Sequence, residues 1–174
     1  MGFDMIKTIF AAAAIAAVSA CAQAAGPNDA QIAHIAYTAG QIDVTAAEQA
    51  LAKSKDKAVR DFAEAMKRDH AAVNDKALAL VKKLGVSPEA NATSAALSKG
   101  AAEKMAALAK LNGAAFDRAY VGNEIAYHGT VNQALASTLI PGAHNAELKS
   151  LLETGLTLFQ EHKKHAEHLS GALK

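Results

Sequence analysis

VRDFAEAMKRDHAAVNDKALALVKKL, residues 59–84, sets the architecture. Val59, Ala63, Met66, His70, Val73, Ala77, Leu80 and Leu84 recur at alternating steps of four and three, the spacing that places apolar side chains along one seam of an α-helix. Asp56 stands ahead of the run as a start signal, and Gly85 follows Lys82 and Lys83 as a stop signal. The single polar member of the seam is His70, near its middle.

The same template fits three further stretches. A first helix is predicted from Asn28 or Asp29 to about Lys53, with the seam Ile32, Ala36, Ala39, Asp43, Ala46, Ala50. A third runs from about Ala114 to Leu139, where Pro141-Gly142 stops it, and carries Asp117, Val121, Glu124, His128, Val131 and Leu135; Phe116, Tyr120, Tyr127 and Ala134 form a competing face. A fourth covers Asn145 to Leu173 through Leu148, Leu152, Gly155, Phe159, His162, Ala166 and Leu169. Between the second and third lies a weaker helix, Ser94 to Leu111, which reads as a bridge across the bundle. Its length leaves an up-down and a crossover topology both open.

Composition agrees with an all-α domain. Half the residues of this 174-residue chain are apolar, aromatics are 5% and tryptophan is absent, which suits small-residue helix packing rather than an aromatic-rich sheet. A net charge of +1 gives no electrostatic footprint for nucleic acid.

Residues 1–24 read as an export leader, with Lys7 ahead of the short apolar run from Ile9 to Val18. Ala22-Gln23-Ala24 fits a cleavage rule that releases a soluble periplasmic domain, residues 28–174. Val18-Ser19-Ala20-Cys21 resembles a bacterial lipobox, which would tether the domain to a membrane through Cys21, the chain's only cysteine. Either route leaves room for an envelope partner, and the sequence specifies no oligomeric state.

Asp43, His70, His128 and His162 each fall within about one turn, 5.4 Å, of the midpoint of their own helix. In a bundle midpoints meet, so the four are predicted to converge in one layer as ligands of a divalent ion such as zinc or iron. Asp69, Tyr120 and Glu124 are placed to hydrogen-bond the imidazoles, and His165 to flank the site. The competing reading is a metal-free hydrogen-bonded layer that fixes helix register. His34, His144 and His168 are expected at the surface.

Several segments together carry a family likeness: Gly40-Gln41-Ile42-Asp43-Val44, Val59-Arg60-Asp61-Phe62-Ala63 leading to Met66 and Asp69-His70, Phe116-Asp117-Arg118-Ala119-Tyr120, His128, and His162 with Ala166. The chain resembles the bacterial family labelled domain of unknown function 4142. That resemblance implies export, a ferritin-like four-helix bundle, and a metal-binding or stress-related role. Asp43 stands where the family usually has Glu, and Thr157 where it usually has Pro.

No Glu-x-x-His pair occurs, Glu124 and Glu161 preceding His128 and His165 by four residues, so a ferritin-type di-iron centre is disfavoured. No H-E-x-x-H, nucleophile elbow or phosphate loop is present either. A metal-dependent oxidoreductase is the weakest of three readings, behind a metal-binding bundle and a structural module.

Overall fold

The structure, a computed structural model, describes residues 26–173. The predicted leader with Cys21 lies outside them. Among the described residues every regular element is helical: α1 (Asp29–Lys53), α2 (Lys57–Leu84), α3 (Ala92–Ala109), α4 (Gly113–Ala134), a π-helical turn (Leu135–Leu139), α5 (Ile140–Gly142) and α6 (Ala146–Ala172).

Local chemistry sets these boundaries. The Asn28 side chain accepts from the Gln31 amide while Gln31 returns a bond to the Asn28 amide, a reciprocal cap that satisfies two orphan donors. Asp56 accepts from the amides of Ala58 and Val59, and Asn145 from those of Glu147 and Leu148. Gly85 ends α2 at φ 65°, a left-handed conformation that glycine adopts without steric penalty. Pro141 has no N–H to give and its ring crowds the preceding turn, and the wide π turn falls just before it, so the third long helix changes character at Leu135 rather than running unbroken to Leu139.

Contacts along α1 resolve the topology. The Glu89 amide donates to Ala30 near the start of α1, and Lys53 at its other end donates to the Ala109 carbonyl. Thus α3 runs parallel to α1 along its whole length and returns the chain, so α4 descends in the same sense as α2. Asp29 then accepts from the amides of His144 and Asn145, which brings the start of α6 beside the start of α1. This is a crossover connection, not an up-down one. Around the bundle, α1 packs on α2, α2 on α6, α6 on α4, and α4 on α1, with α3 laid outside α1.

Helices α1 and α2 approach closely because their contact is built from small residues. A side chain at Gly40 would collide with the Asn74 amide, which donates 2.9 Å to Gln41 Oε1. Below His70 the buried line of α2 accordingly passes through Asn74 and Val81, while Val73, Ala77, Leu80 and Leu84 are half-buried. The sequence seam is therefore right in its upper half and rotated in its lower half. On α4 the two competing faces are both buried near the start of the helix, where Phe116, Asp117, Tyr120, Val121 and Glu124 are all covered.

The apolar core comes in two parts. One is built around Val59, Phe62, Met66, Phe116, Tyr120 and Val121, the other around Ile32, Ile35, Leu135, Leu139, Leu152 and Phe159. The polar residues Asp43, His70, Glu124, His128 and His162 lie between them and are all buried. No helix among the described residues is long and apolar enough to cross a membrane.

Candidate metal centre

Each long helix delivers one polar side chain to this layer, and α4 delivers two because Glu124 and His128 lie one turn apart on the same face. The structure divides the layer into two adjoining groups. His70, His128 and His162 form one and Asp43, Glu124 and His128 the other; within each group one nitrogen or oxygen per residue lies within 4.8 Å of the others. The imidazole rings of the first group are 5.3–5.7 Å apart centre to centre.

Outer partners orient the imidazoles. The Glu124 carbonyl lies 3.0 Å from His128 Nδ1; a carbonyl only accepts, so His128 donates from Nδ1 and keeps a lone pair on Nε2. The Asp69 carboxylate lies 3.1 Å from His162 Nε2, so His162 donates outward and keeps its lone pair on Nδ1, a buried atom with no hydrogen-bond partner. Burial pushes the Asp69 carboxyl up, but hydrogen bonds from Arg68 and His162 outweigh it and hold the group below its ordinary range, ionised and acceptor-only. His70 presents Nδ1 to Asp43 Oδ2 at 3.4 Å and Nε2 to His128 Nε2, also at 3.4 Å. The face of its ring lies on Phe159, with centroids 4.4 Å apart and planes within 11°.

Electrostatics favour neutral imidazoles. Burial lowers the pKa of His70 well below its ordinary value, with His128 and His162 adding to the effect. Burial likewise brings His128 down to about 4, and lowers His162 against the pull of Asp69. Neutral imidazole is the form that ligates metals.

The carboxyl pair behaves oppositely. Burial, then the proximity of Glu124, raises Asp43 well above its ordinary pKa, and burial pushes Glu124 up to about 7. The pair is thus prone to share a proton unless a cation neutralises it. With both carboxyls ionised, Asp43 Oδ1, both Glu124 carboxyl oxygens, His70 Nδ1, His162 Nδ1 and the Tyr120 hydroxyl are buried without hydrogen-bond partners, and only a shared proton joins Asp43 to Glu124. Such groups cost roughly 1–3 kcal/mol each, so the layer is chemically incomplete as a purely internal network.

These positions test the donor set against a divalent ion. Two nitrogens bound to one tetrahedral zinc at about 2.0–2.1 Å stand about 3.3–3.4 Å apart, and His70 Nε2 and His128 Nε2 are separated by 3.4 Å. His162 Nδ1 supplies a third buried lone pair that no hydrogen bond uses. The residues present fit a metal held by three imidazoles: His128 and His162 have their other nitrogen hydrogen-bonded to the Glu124 carbonyl and to Asp69, and His70 Nδ1 lies 3.4 Å from Asp43 Oδ2.

The pattern that defines the family described as Domain of unknown function (DUF4142) matches residues 14–169. The chain belongs to this family. No functionally curated protein and no solved structure matches it. For this member of DUF4142, then, the chemistry has to be read from the layer itself.

Other residues singled out from the sequence fall as follows. Asp69 reaches an imidazole as described. Tyr120 lies in the layer's upper wall, its hydroxyl unpartnered and its pKa raised by burial and by Glu124 and Asp43. Glu124, expected outside the ligands, is in the layer, with Oε2 3.6 Å from His128 Nδ1. His165 is exposed and packs edge-on against Phe62, 5.1 Å between centroids, while His144 and His168 are exposed and His34 is half-buried.

Sequence reasoning overlooks two residues. Asn74 lies off the seam, and only the neighbouring glycine in α1 signals the close approach that buries it. Phe159 reads in sequence as an ordinary core residue, although its position three before His162 places it against the layer.

Proposed function

We propose that this protein is an exported, periplasmic, ferritin-like four-helix bundle that holds one divalent metal ion, zinc or iron, with a protective role under stress. The observation that carries the metal reading is the convergence of one ring nitrogen each from His70, His128 and His162 to within 4.8 Å, with His128 held by the Glu124 carbonyl and His162 by Asp69. Metal-ligating histidines characteristically donate their second nitrogen to such an acceptor. The crossover connection through α3 supports the ferritin-like reading, since that class carries one long crossover.

In this reading His70, His128 and His162 bind the ion, and Asp43 and Glu124 lie beside it as counter-charges. When bound, the ion would supply a fixed positive charge and, if iron, a one-electron couple. The residues orient the ligands and exclude water through Phe159 and the aromatic side chains of Phe62, Phe116 and Tyr120, and the Asp43–Glu124 pair gives up its shared proton to balance the ion's charge. Helical bundles build metal sites from facing side chains in this manner.

A second reading has an observation of its own. In the metal-free protein the 3.4 Å contact between His70 and His128 can be an N–H···N hydrogen bond, and the shared carboxyl proton then completes a register-setting layer. Elemental analysis separates the two. Untagged wild type, stripped and reloaded, should retain about one equivalent of metal per chain, and the His70→Ala/His128→Ala double variant none. Failure of the wild type to retain metal after reconstitution would leave the structural reading.

A further inference from the structure

The lower half of the core is not filled. A cavity of about 300 Å³ is lined by Ala39 of α1, Val73 of α2, Val131 of α4, Leu135 of the π turn, and Leu152 and Phe159 of α6. Protein interiors are close-packed and seldom leave voids larger than a water molecule, whereas ligand pockets begin at about this size and are mostly apolar. Its upper boundary, Phe159, is the ring stacked on His70.

A second cavity, of about 430 Å³, runs as a groove between α3 and the helices α1 and α4, past Ala96, Gly100, Met105 and Tyr127. Thr93, Leu97 and Thr130 border both cavities, so the two adjoin at these residues. The small residues on this side of α3 leave the space open. Among the described residues Lys104 is the one charged side chain that borders either cavity; it is exposed, and it has no ion pair among those residues.

We infer that the two adjoining cavities form one site for a single-chain amphiphile with an anionic head, a fatty acid of about twelve to sixteen carbons. The inner cavity matches about ten water volumes of about 30 Å³ each, roughly the bulk of ten methylenes. The remaining carbons lie in the groove under α3, and the carboxylate meets Lys104. An apolar lining with Lys104 as its one cation suits a fatty acid better than a sugar or a nucleotide, neither of which offers a long apolar tail. The inference stands on the cavities and does not depend on the metal.

Titration calorimetry of delipidated, metal-free protein with decanoate, dodecanoate and tetradecanoate tests it. One ligand should bind per chain, with affinity rising about tenfold for each added pair of methylenes. K104E should weaken dodecanoate about fivefold and leave 1-dodecanol unchanged, while Ala39→Phe should abolish binding of both. Should Ala39→Phe not fold, magnetisation transfer from the dodecanoate methyl to Val131, Leu135 and Leu152 methyls in the wild type locates the bound chain instead. Absence of saturable binding, affinity independent of chain length, or transfer to surface residues in place of these methyls would overturn the assignment. Loss of metal binding with fatty-acid binding intact would refute only the metal reading, and the reverse only this one.

Discussion

Replacing Glu124 with Gln in the metal-free protein should remove a loss of stability that the wild type suffers as pH rises. The Glu124 carboxyl is pushed up to about 7 by burial, from an ordinary value of 4.5. Since the folded state holds that proton more tightly than the unfolded chain, the associated stability is fully present below pH 4.5 and is lost as pH rises through 7. The full loss is about 3 kcal/mol. A Gln amide stays neutral and loses nothing over that range. The charge of Glu124 also helps to raise Asp43, so the variant relieves its neighbour in the same direction. His128 works with the opposite sign: brought down to about 4, it contributes stability present above 6.5 and lost as pH falls through 4, but in both proteins alike, so it cancels in the comparison. Between pH 4 and pH 8 the variant should therefore gain about 3 kcal/mol on the wild type, or about 6–12 °C in melting temperature for a domain of this size. Thermal melts followed by circular dichroism at 222 nm, with chelator present, measure the gap. A gap constant to within about 1 kcal/mol across that range would refute the account of the layer's electrostatics.

Three further outcomes are expected. Gly40→Ala should destabilise the protein by about 1–3 kcal/mol through its clash with Asn74, and Asn74→Ala in the same chain should restore much of the loss, as urea titration of both variants would show. Asp69→Asn should lower metal affinity by about 10–100-fold by loosening His162, measured by competition with a chelator of known affinity. Asp29→Ala removes the carboxylate that both the His144 and Asn145 amides use; it should cost about 1–3 kcal/mol and raise hydrogen exchange in the turn before α6.

The helices and the mid-height layer were legible because both depend on periodicity. Steps of three and four fix which side chains face inward, and equal distance from the helix ends fixes their height, so His70, His128 and His162 could be brought together without coordinates. Which nitrogen of each ring points inward was not legible, since it depends on a backbone carbonyl at Glu124 and on the side-chain direction of Asp69. Periodicity also could not report the rotation of α2 below His70, which follows from the close approach of Gly40 to Asn74, a property of two helices and not of one. The direction of α4 was open for a similar reason: the length of α3 permits either sense, and contacts made at its two ends, Glu89 with Ala30 and Lys53 with Ala109, decide it. The apolar cavities are the clearest case, because an unfilled volume is defined by what several elements jointly fail to occupy.

X-ray absorption on the zinc-loaded protein reads the proposed coordination without intermediaries. Three imidazole nitrogens at about 2.0–2.1 Å are expected in the first shell, with the imidazole count falling in His162→Ala. A shell dominated by oxygen, with fewer than two imidazoles, would be incompatible with a metal held by His70, His128 and His162.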